Sequence, residues 1–425
     1  MSELENGEEK EIIPKDNEEK GETFNILPDE PAPSSFQEVS EFIDIMSDIK
    51  KNAVPIEDTF IEEKPKKRSK TENVETSEQQ NLFEEFSSFL KKTKEITQDF
   101  EDRGTIPTGI DILDAILGGG FAIGAINVLV GQPGCGKSML AAQCLANAQK
   151  LNPNMLSAYL DSEESMTRNR LINLGINSPP ITPYNEITIE KVFKFIEGLC
   201  VFKETKKIIE TPSMVIWDSI ANTSTDKEKD PTIDVNQVIG YKARLLSFLL
   251  PKYITKLRKH NICLLSVNQL RDVMAMGQFA PPRDLKFLSS TKDMPSGNSL
   301  KFNSFQLLEI KVRGEVKEED YGFRGFLAEI KCVKNKLFTP NIPVPICGNF
   351  VRGFSNFWTN FNYLHTTKRL TGAAGWWKLT DYPEIRFRRK DAEEQYETDL
   401  AFKETFDKCA KEAIKIDFID KYGDA

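Results

Sequence analysis

Residues 125–138, Ala-Ile-Asn-Val-Leu-Val-Gly-Gln-Pro-Gly-Cys-Gly-Lys-Ser, constrain this chain more than any other stretch. Ile126, Val128, Leu129 and Val130 form a short apolar run that reads as a buried strand and stops at Gly131. From Met139 to Ala148 the residues favour a helix. Between them the spacing is G-x-x-x-x-G-K-S, through Gly131, Gln132, Pro133, Gly134, Cys135, Gly136, Lys137 and Ser138. Glycines in such a turn let backbone N–H groups converge on phosphate oxygens. The following helix, which starts near Met139, aims its positive end at the same anion. Lys137 then reaches the terminal phosphates of a nucleotide, and the Ser138 hydroxyl is placed to hold Mg²⁺. An ordinary glycine-rich turn is the bland alternative, and the strand before and the helix after it weigh against that.

The rest of the chain limits the setting. With 425 residues there is room for about three structural units. The net charge of -9 argues against a generally basic nucleic-acid binder and leaves a local basic surface open. Seven scattered cysteines with no C-x-x-C point to reduced thiols and an intracellular setting, and two histidines leave little room for His-based chemistry. No apolar stretch approaches the length of a membrane span, and the acidic start is no signal peptide.

Residues 1–78 are rich in Glu, Lys, Pro, Asn and Ser and read as a disordered acidic tail. Within it Phe36–Ile49 has loose helical spacing, and Lys64–Lys70 is a basic cluster. That cluster is a solvated linker by default, with a nuclear-import signal or a nucleic-acid contact as the alternatives. Leu82, Phe83, Phe86, Phe89, Leu90 and Ile96 give one apolar helical face, for burial on this core or on a neighbouring subunit. The expected divisions are therefore the tail 1–78, an oligomerisation segment 79–104, a core 105–345 and a small α/β unit 346–425, ending in one helix over Asp391–Lys415.

From Thr105 to Gly124 the order is an S/T-G turn, a short helix with Leu113 and Asp114, a triple-glycine turn and the strand into the phosphate loop. This order resembles the start of the ATPase core in the RecA/RadA recombinase superfamily, and the likeness continues over residues 105–340. Ala158–Glu164 is similar to the family's second core strand with its D-x-E, which implies Glu163 as the residue that orients and deprotonates the attacking water. Arg170, or the nearby Arg168, stands where the family stacks a side chain on adenine, completing the nucleotide contacts that run from Gly131 to Met139. Ser213–Ser219 is an apolar strand ending in Asp218, about eighty residues after Lys137, and resembles a Walker B strand whose carboxylate holds Mg²⁺ with Ser138.

The resemblance also implies DNA contacts. The helix start at Gly240 resembles the one that follows the family's first DNA-binding loop, and places Ile239, Lys242 and Arg244 there. Pro251 is expected to interrupt this helix, as in the phage UvsX type rather than bacterial RecA. Gln269 matches the sensor of the γ-phosphate. After it a second loop would carry Arg271, Met274, Arg283, Lys286 and Lys292, closing on Ser296, Gly297 and Asn298, with Ser296 where the family has glycine. Val333–Phe338 matches the family's K-N-K, in which Lys334 and Lys336 reach the ATP of the neighbouring subunit; a solvated hairpin is the plain alternative.

The implied fold is α/β: a RecA-type P-loop ATPase core on a twisted, mostly parallel sheet, with an N-terminal helix and a small C-terminal α/β domain. The implied activity is ATP- and Mg²⁺-dependent strand exchange by a homo-oligomeric filament on single-stranded DNA, tested against double-stranded DNA. Single-strand-binding and mediator proteins are the implied partners, with no membrane. The implied place is the cytoplasm or nucleoid of a bacterial host if the chain is phage-encoded. A hexameric motor on the same core, and an ATP-gated mediator without strand exchange, are the rival readings.

Overall fold

The computed structural model describes residues 103–176, 180, 186–233, 240–272, 292–294, 298–373 and 375–423. The tail 1–78, the helix expected over 81–100, and Ile239, Met274, Arg283, Lys286, Ser296 and Gly297 lie outside the described residues; for Lys292 only the backbone is described.

Strands β1 (Thr105–Ile106) and β2 (Phe121–Ala122) pair antiparallel around helix α1 (Asp111–Leu117), which ends on the left-handed Gly118. Gln306 ties this entry to the core. Fully buried, it donates to Leu117 O at 2.9 Å and Gly120 O at 3.1 Å, and accepts from Ala122 N at 3.0 Å.

The chain then enters an eight-stranded sheet. Its members are β3 (Ile126–Gly131), β4 (Leu156–Asp161), β5 (Ser213–Asp218), β6 (Ile262–Gln269), β9 (Gln306–Val316), β10 (Gly325–Lys334), β11 (Pro343–Asn349) and β12 (Gly353–Ser355). Two short strands, β7 (Arg271–Asp272) and β8 (Lys292–Asp293), pair outside it. In space the order is β12-β11-β10-β9-β3-β6-β5-β4. The five strands from β9 to β4 are parallel, and β10 to β12 continue antiparallel. Parallel strands buried on both faces need apolar side chains at odd and even positions alike, and these strands have them. On β5, Met214 and Ile216 face one core while Val215 and Trp217 face the other.

Helices cover both faces. Helix α2 (Lys137–Leu151) lies on the first, with α1 and the C-terminal helices; α4 (Ile189–Lys206) and α6 (Tyr241–Lys259) lie on the second. Two shorter helices, α3 (Arg168–Asn173) and α5 (Asp226–Lys229), sit between them in the chain. Contrary to the sequence expectation, α6 runs unbroken through Pro251. An interior proline costs about 3 kcal/mol. Leu246, Leu250, Tyr253 and Leu257 are buried on both sides of it, each worth roughly 1.5–3 kcal/mol, so tertiary packing outweighs the local penalty. The interruption expected of the phage type is thus absent.

Beyond β10 the first core continues without a break into the C-terminal part. Helix α7 (Asn356–Thr366) buries Phe357, Trp358 and Phe361; Phe357 packs on Phe406 and Phe361 on Trp377. Residue 346, the expected start of a separate unit, falls inside β11, in register with Ala328 of β10. A three-stranded antiparallel sheet follows, from β13 (Leu370–Ala373), β14 (Trp376–Leu379) and β15 (Arg386–Arg388). The single final helix expected over Asp391–Lys415 is two, Ala392–Thr398 and Leu400–Ile414. Asp399 separates them because it adopts an extended conformation and its carboxylate caps the Phe402 N–H at 3.1 Å. Among the described residues no helix is long and apolar enough to cross a membrane.

Candidate functional site

The phosphate loop runs from the carboxyl end of β3 into α2. At Gly131 a Cβ would lie 2.5 Å from Cys135 Sγ and 2.6 Å from Ile310 O, so no larger residue fits that turn. Gly136 has φ +91°, and a Cβ there would meet Phe354 at 2.9 Å. Gln132, Pro133 and Gly134 form the exposed tip, while Cys135, Lys137 and Met139 point inward and are buried. Lys137 Nζ crosses the loop and donates to Gln132 O at 2.6 Å. The first turn of α2 leaves N–H groups without partners inside the helix, at the same mouth.

Asp218 ends β5 on the floor of this mouth, fully buried. Its Oδ2 accepts from the Tyr159 hydroxyl at 2.7 Å, and its Oδ1 has no hydrogen-bond partner among the described residues. Burial raises the carboxyl to about 6, against the lowering effect of the Ser138 and Tyr159 hydroxyls. A buried carboxylate with one oxygen unsatisfied, beside a loop hydroxyl, has the oxygen chemistry that Mg²⁺ takes. The glycine-lined cradle likewise suits phosphate oxygens that a side chain would displace. The residues fit both groups.

Glu163 follows β4 in a turn built by Asp161, whose carboxylate accepts from Glu163 N at 3.1 Å and Met166 N at 2.9 Å. Three side chains converge on Glu163 Oε1: Ser219 Oγ at 2.5 Å, Asn222 Nδ2 at 2.7 Å and Gln269 Nε2 at 3.2 Å. Gln269 is the last residue of β6, beside Gly131 in register. The strand ends therefore bring Lys137, Ser138, Glu163, Asp218 and Gln269 around one cleft of roughly 460 Å³.

Arg170 and Arg168 part company. Arg170 lines the cleft, donating to Phe350 O at 2.5 Å and Val351 O at 3.2 Å, with Met139 Sδ at 3.4 Å. Arg168 is exposed at the start of α3 and does not line the cleft. Phe326 and Phe350 form an apolar wall that nothing local in the sequence marks. The sequence does not point to Tyr159, Ser219 or Asn222 either. Tyr159 carries no local mark, because the carboxylate it meets is Asp218, on the neighbouring strand.

Lys334 and Lys336 are not brought to this cleft. Lys334 pairs with Leu307, which pairs with Val128 near the amino end of β3, away from the phosphate loop. Its Nζ donates to Lys301 O and Phe302 O, both at 2.8 Å, and burial together with Lys336 lowers it to about 8. Lys336 is exposed, 5.5 Å above the Phe305 ring. Among the residues expected at DNA, Lys242 Nζ donates to Ala221 O at 2.8 Å, and burial lowers its pKa. Arg271 is close enough to Lys242 to repel it, just beyond Gln269. Arg244 and Asn298 are exposed, and Asn298 Oδ1 accepts from Lys301 Nζ at 3.2 Å.

A family model described as the RecA N-terminal domain matches residues 86–354. Protein RecA of Xanthomonas campestris pv. campestris (strain B100) is 30% identical over 236 residues, which cover 55% of this chain and 63% of that protein. Protein RecA of Syntrophus aciditrophicus (strain SB) is 30% identical over 241 residues, covering 56% and 64%. For Protein RecA of Aquifex aeolicus (strain VF5) the values are 29% over 241 residues, 56% and 63%. The chain thus spans less than two thirds of the length of these relatives. The matched segment takes in the whole parallel sheet, the phosphate loop and the three strand-end residues Glu163, Asp218 and Gln269, and more than half of the chain; on these grounds the chain belongs to the RecA family.

Proposed function

We propose that this protein is a DNA-dependent ATPase of homologous recombination, which assembles as a helical filament on single-stranded DNA and pairs it with a duplex. The observation that carries this reading is the Glu163–Gln269 contact at 3.2 Å. It connects a candidate base in the nucleotide cleft to the residue from which the second DNA-binding segment departs.

In this reading the phosphate loop holds the ATP phosphates through its backbone N–H groups, with Lys137 turned from Gln132 O to the terminal phosphates. Arg170, Phe326 and Phe350 bind the base end. Ser138 and Asp218 would hold Mg²⁺, which would supply positive charge against the phosphates. Glu163 orients water for in-line attack and accepts its proton at Oε1; Ser219 and Asn222 aim it. Gln269 transmits the state of the γ-phosphate to residues 270–295, where Arg271, Arg283, Lys286 and Lys292 contact DNA phosphates and Met274 wedges between bases. Lys334 and Lys336, at the far end of the sheet, serve the ATP of an adjoining subunit. Pairing between strands supplies sequence specificity.

ATP hydrolysis measured with and without single-stranded DNA, alongside negative-stain images with a non-hydrolysable ATP analogue, tests the reading. DNA-stimulated hydrolysis and helical filaments are expected. Closed rings, or hydrolysis indifferent to DNA, would contradict it.

A further inference from the structure

The Tyr159–Asp218 contact is left over when the nucleotide reading has used its own residues. Tyr159 lies on β4, 1% exposed, and Asp218 ends β5 with no exposure. The strands are parallel, with Tyr159 opposite Ile216 and Asp161 opposite Asp218. The tyrosine and the carboxylate therefore share a face on a diagonal, a separation that a long aromatic side chain can bridge. Its hydroxyl donates to Asp218 Oδ2 at 2.7 Å. The other oxygen, Oδ1, is equally buried and has no hydrogen-bond partner among the described residues.

The two carboxylate oxygens thus differ. Oδ2 is turned toward β4 and engaged; Oδ1 alone is left for a cation or its water. Symmetric chelation would require both oxygens to turn to one ion, which pulls Oδ2 away from the Tyr159 hydroxyl it accepts from. This difference bears on which cation fits. Ca²⁺ collects six to eight oxygens and readily takes a carboxylate through both, whereas Mg²⁺ keeps a tight octahedron, usually with several waters, and needs only one oxygen from a given carboxylate.

We propose that Tyr159 is a positioning residue that confines Asp218 to one-oxygen coordination and so selects Mg²⁺ over Ca²⁺ at the nucleotide site. This rests on the reading of Ser138 and Asp218 as the metal-holding pair.

The test uses the full chain and its Tyr159→Phe variant, which keeps the buried ring and removes only the hydroxyl. Equilibrium binding of a fluorescent, non-hydrolysable ATP analogue is titrated with MgCl₂ and separately with CaCl₂. Thermal unfolding without divalent cations registers any loss of packing. In the wild type, half-saturation should need at least about tenfold less Mg²⁺ than Ca²⁺. In the variant the Mg²⁺ requirement should rise about tenfold, the scale usual for losing a group that orients a metal ligand, while the Ca²⁺ requirement stays or falls. The ratio of the two is the decisive readout, because a general loosening moves both together. An unchanged ratio would overturn the proposal. So would a wild-type protein that does not discriminate, and that result needs no variant. Nucleotide binding that needs no divalent cation at all would instead overturn the metal-holding role of Ser138 and Asp218.

Discussion

Glu163 and Gln269, 106 residues apart in the chain, meet through Oε1 and Nε2 at 3.2 Å. One follows β4 and the other ends β6, with β5 between them. Parallel strands place all their carboxyl ends on one edge, so residues from distant segments converge there without any long loop to carry them. Oε1 of Glu163 also receives Ser219 and Asn222, so the carboxylate is oriented from both flanks.

Glu163→Gln retains the shape and most of the hydrogen bonds of this cluster while removing the base. Nucleotide and DNA binding should persist, and hydrolysis should fall by about 10²–10⁴, the usual range for losing a general base. Filaments formed on DNA should then outlast those of the wild type. Steady-state hydrolysis paired with a nucleotide-binding titration checks this. Normal turnover would move the role to another carboxylate, with Glu164 the first to examine.

The two arginines left open by the sequence separate on geometry. Arg170→Ala removes a guanidinium fixed by Phe350 O and Val351 O at the cleft wall, whereas Arg168→Ala removes an exposed side chain outside it. The first should weaken nucleotide binding about 10-fold to about 100-fold, on the scale of a charge-assisted contact, and the second should leave it within about twofold. Equal effects in the binding titration would remove the distinction.

The phosphate loop was legible because its chemistry is contiguous: glycines, lysine and serine at fixed spacing after an apolar run. Asp218 and Glu163 were legible because each stands at or just past the end of an apolar strand, where order along the chain maps directly onto position. Tyr159 was not read, because its role depends on the register of β4 against β5. Phe326 and Phe350 come from the antiparallel half of the sheet, whose return toward the cleft has no local signature. Pro251 and Asp399 mark the limits of local rules in opposite directions. Packing of Leu246, Leu250, Tyr253 and Leu257 carried a helix through a proline, and a side-chain cap broke a helix where periodicity ran on.

Asp114 gives the fold a pH dependence of its own. Burial raises its carboxyl to about 7, although its oxygens accept from Thr108 N at 2.7 Å and Gly109 N at 3.4 Å. With the folded pKa above the unfolded value of 3.8, the native state keeps a proton that the unfolded chain has released. Stability from this group is therefore lost as pH rises from about 4 to about 7, by an amount on the order of 4 kcal/mol. Asp114→Asn removes the titration and adds a constant offset. Denaturant unfolding of both proteins across that range should show the wild-type advantage shrinking as pH rises; parallel curves would show that Asp114 does not titrate in this window.

In the proposed filament, the far end of one subunit's sheet completes the nucleotide site of the next. Lys336 tests it better than Lys334, because Lys334 also holds Lys301 O and Phe302 O in its own chain while Lys336 is exposed. The measurement is ATP hydrolysis on single-stranded DNA by Lys336→Ala, by Lys137→Ala, and by an equal mixture of the two. A charge supplied across an interface acts only when subunits stack, so each variant alone should be deficient. The mixture should recover part of the activity, from interfaces that pair an intact phosphate loop with an intact Lys336. If Lys336→Ala alone hydrolyses ATP on DNA at the wild-type rate, the site is complete within one chain and the account is wrong.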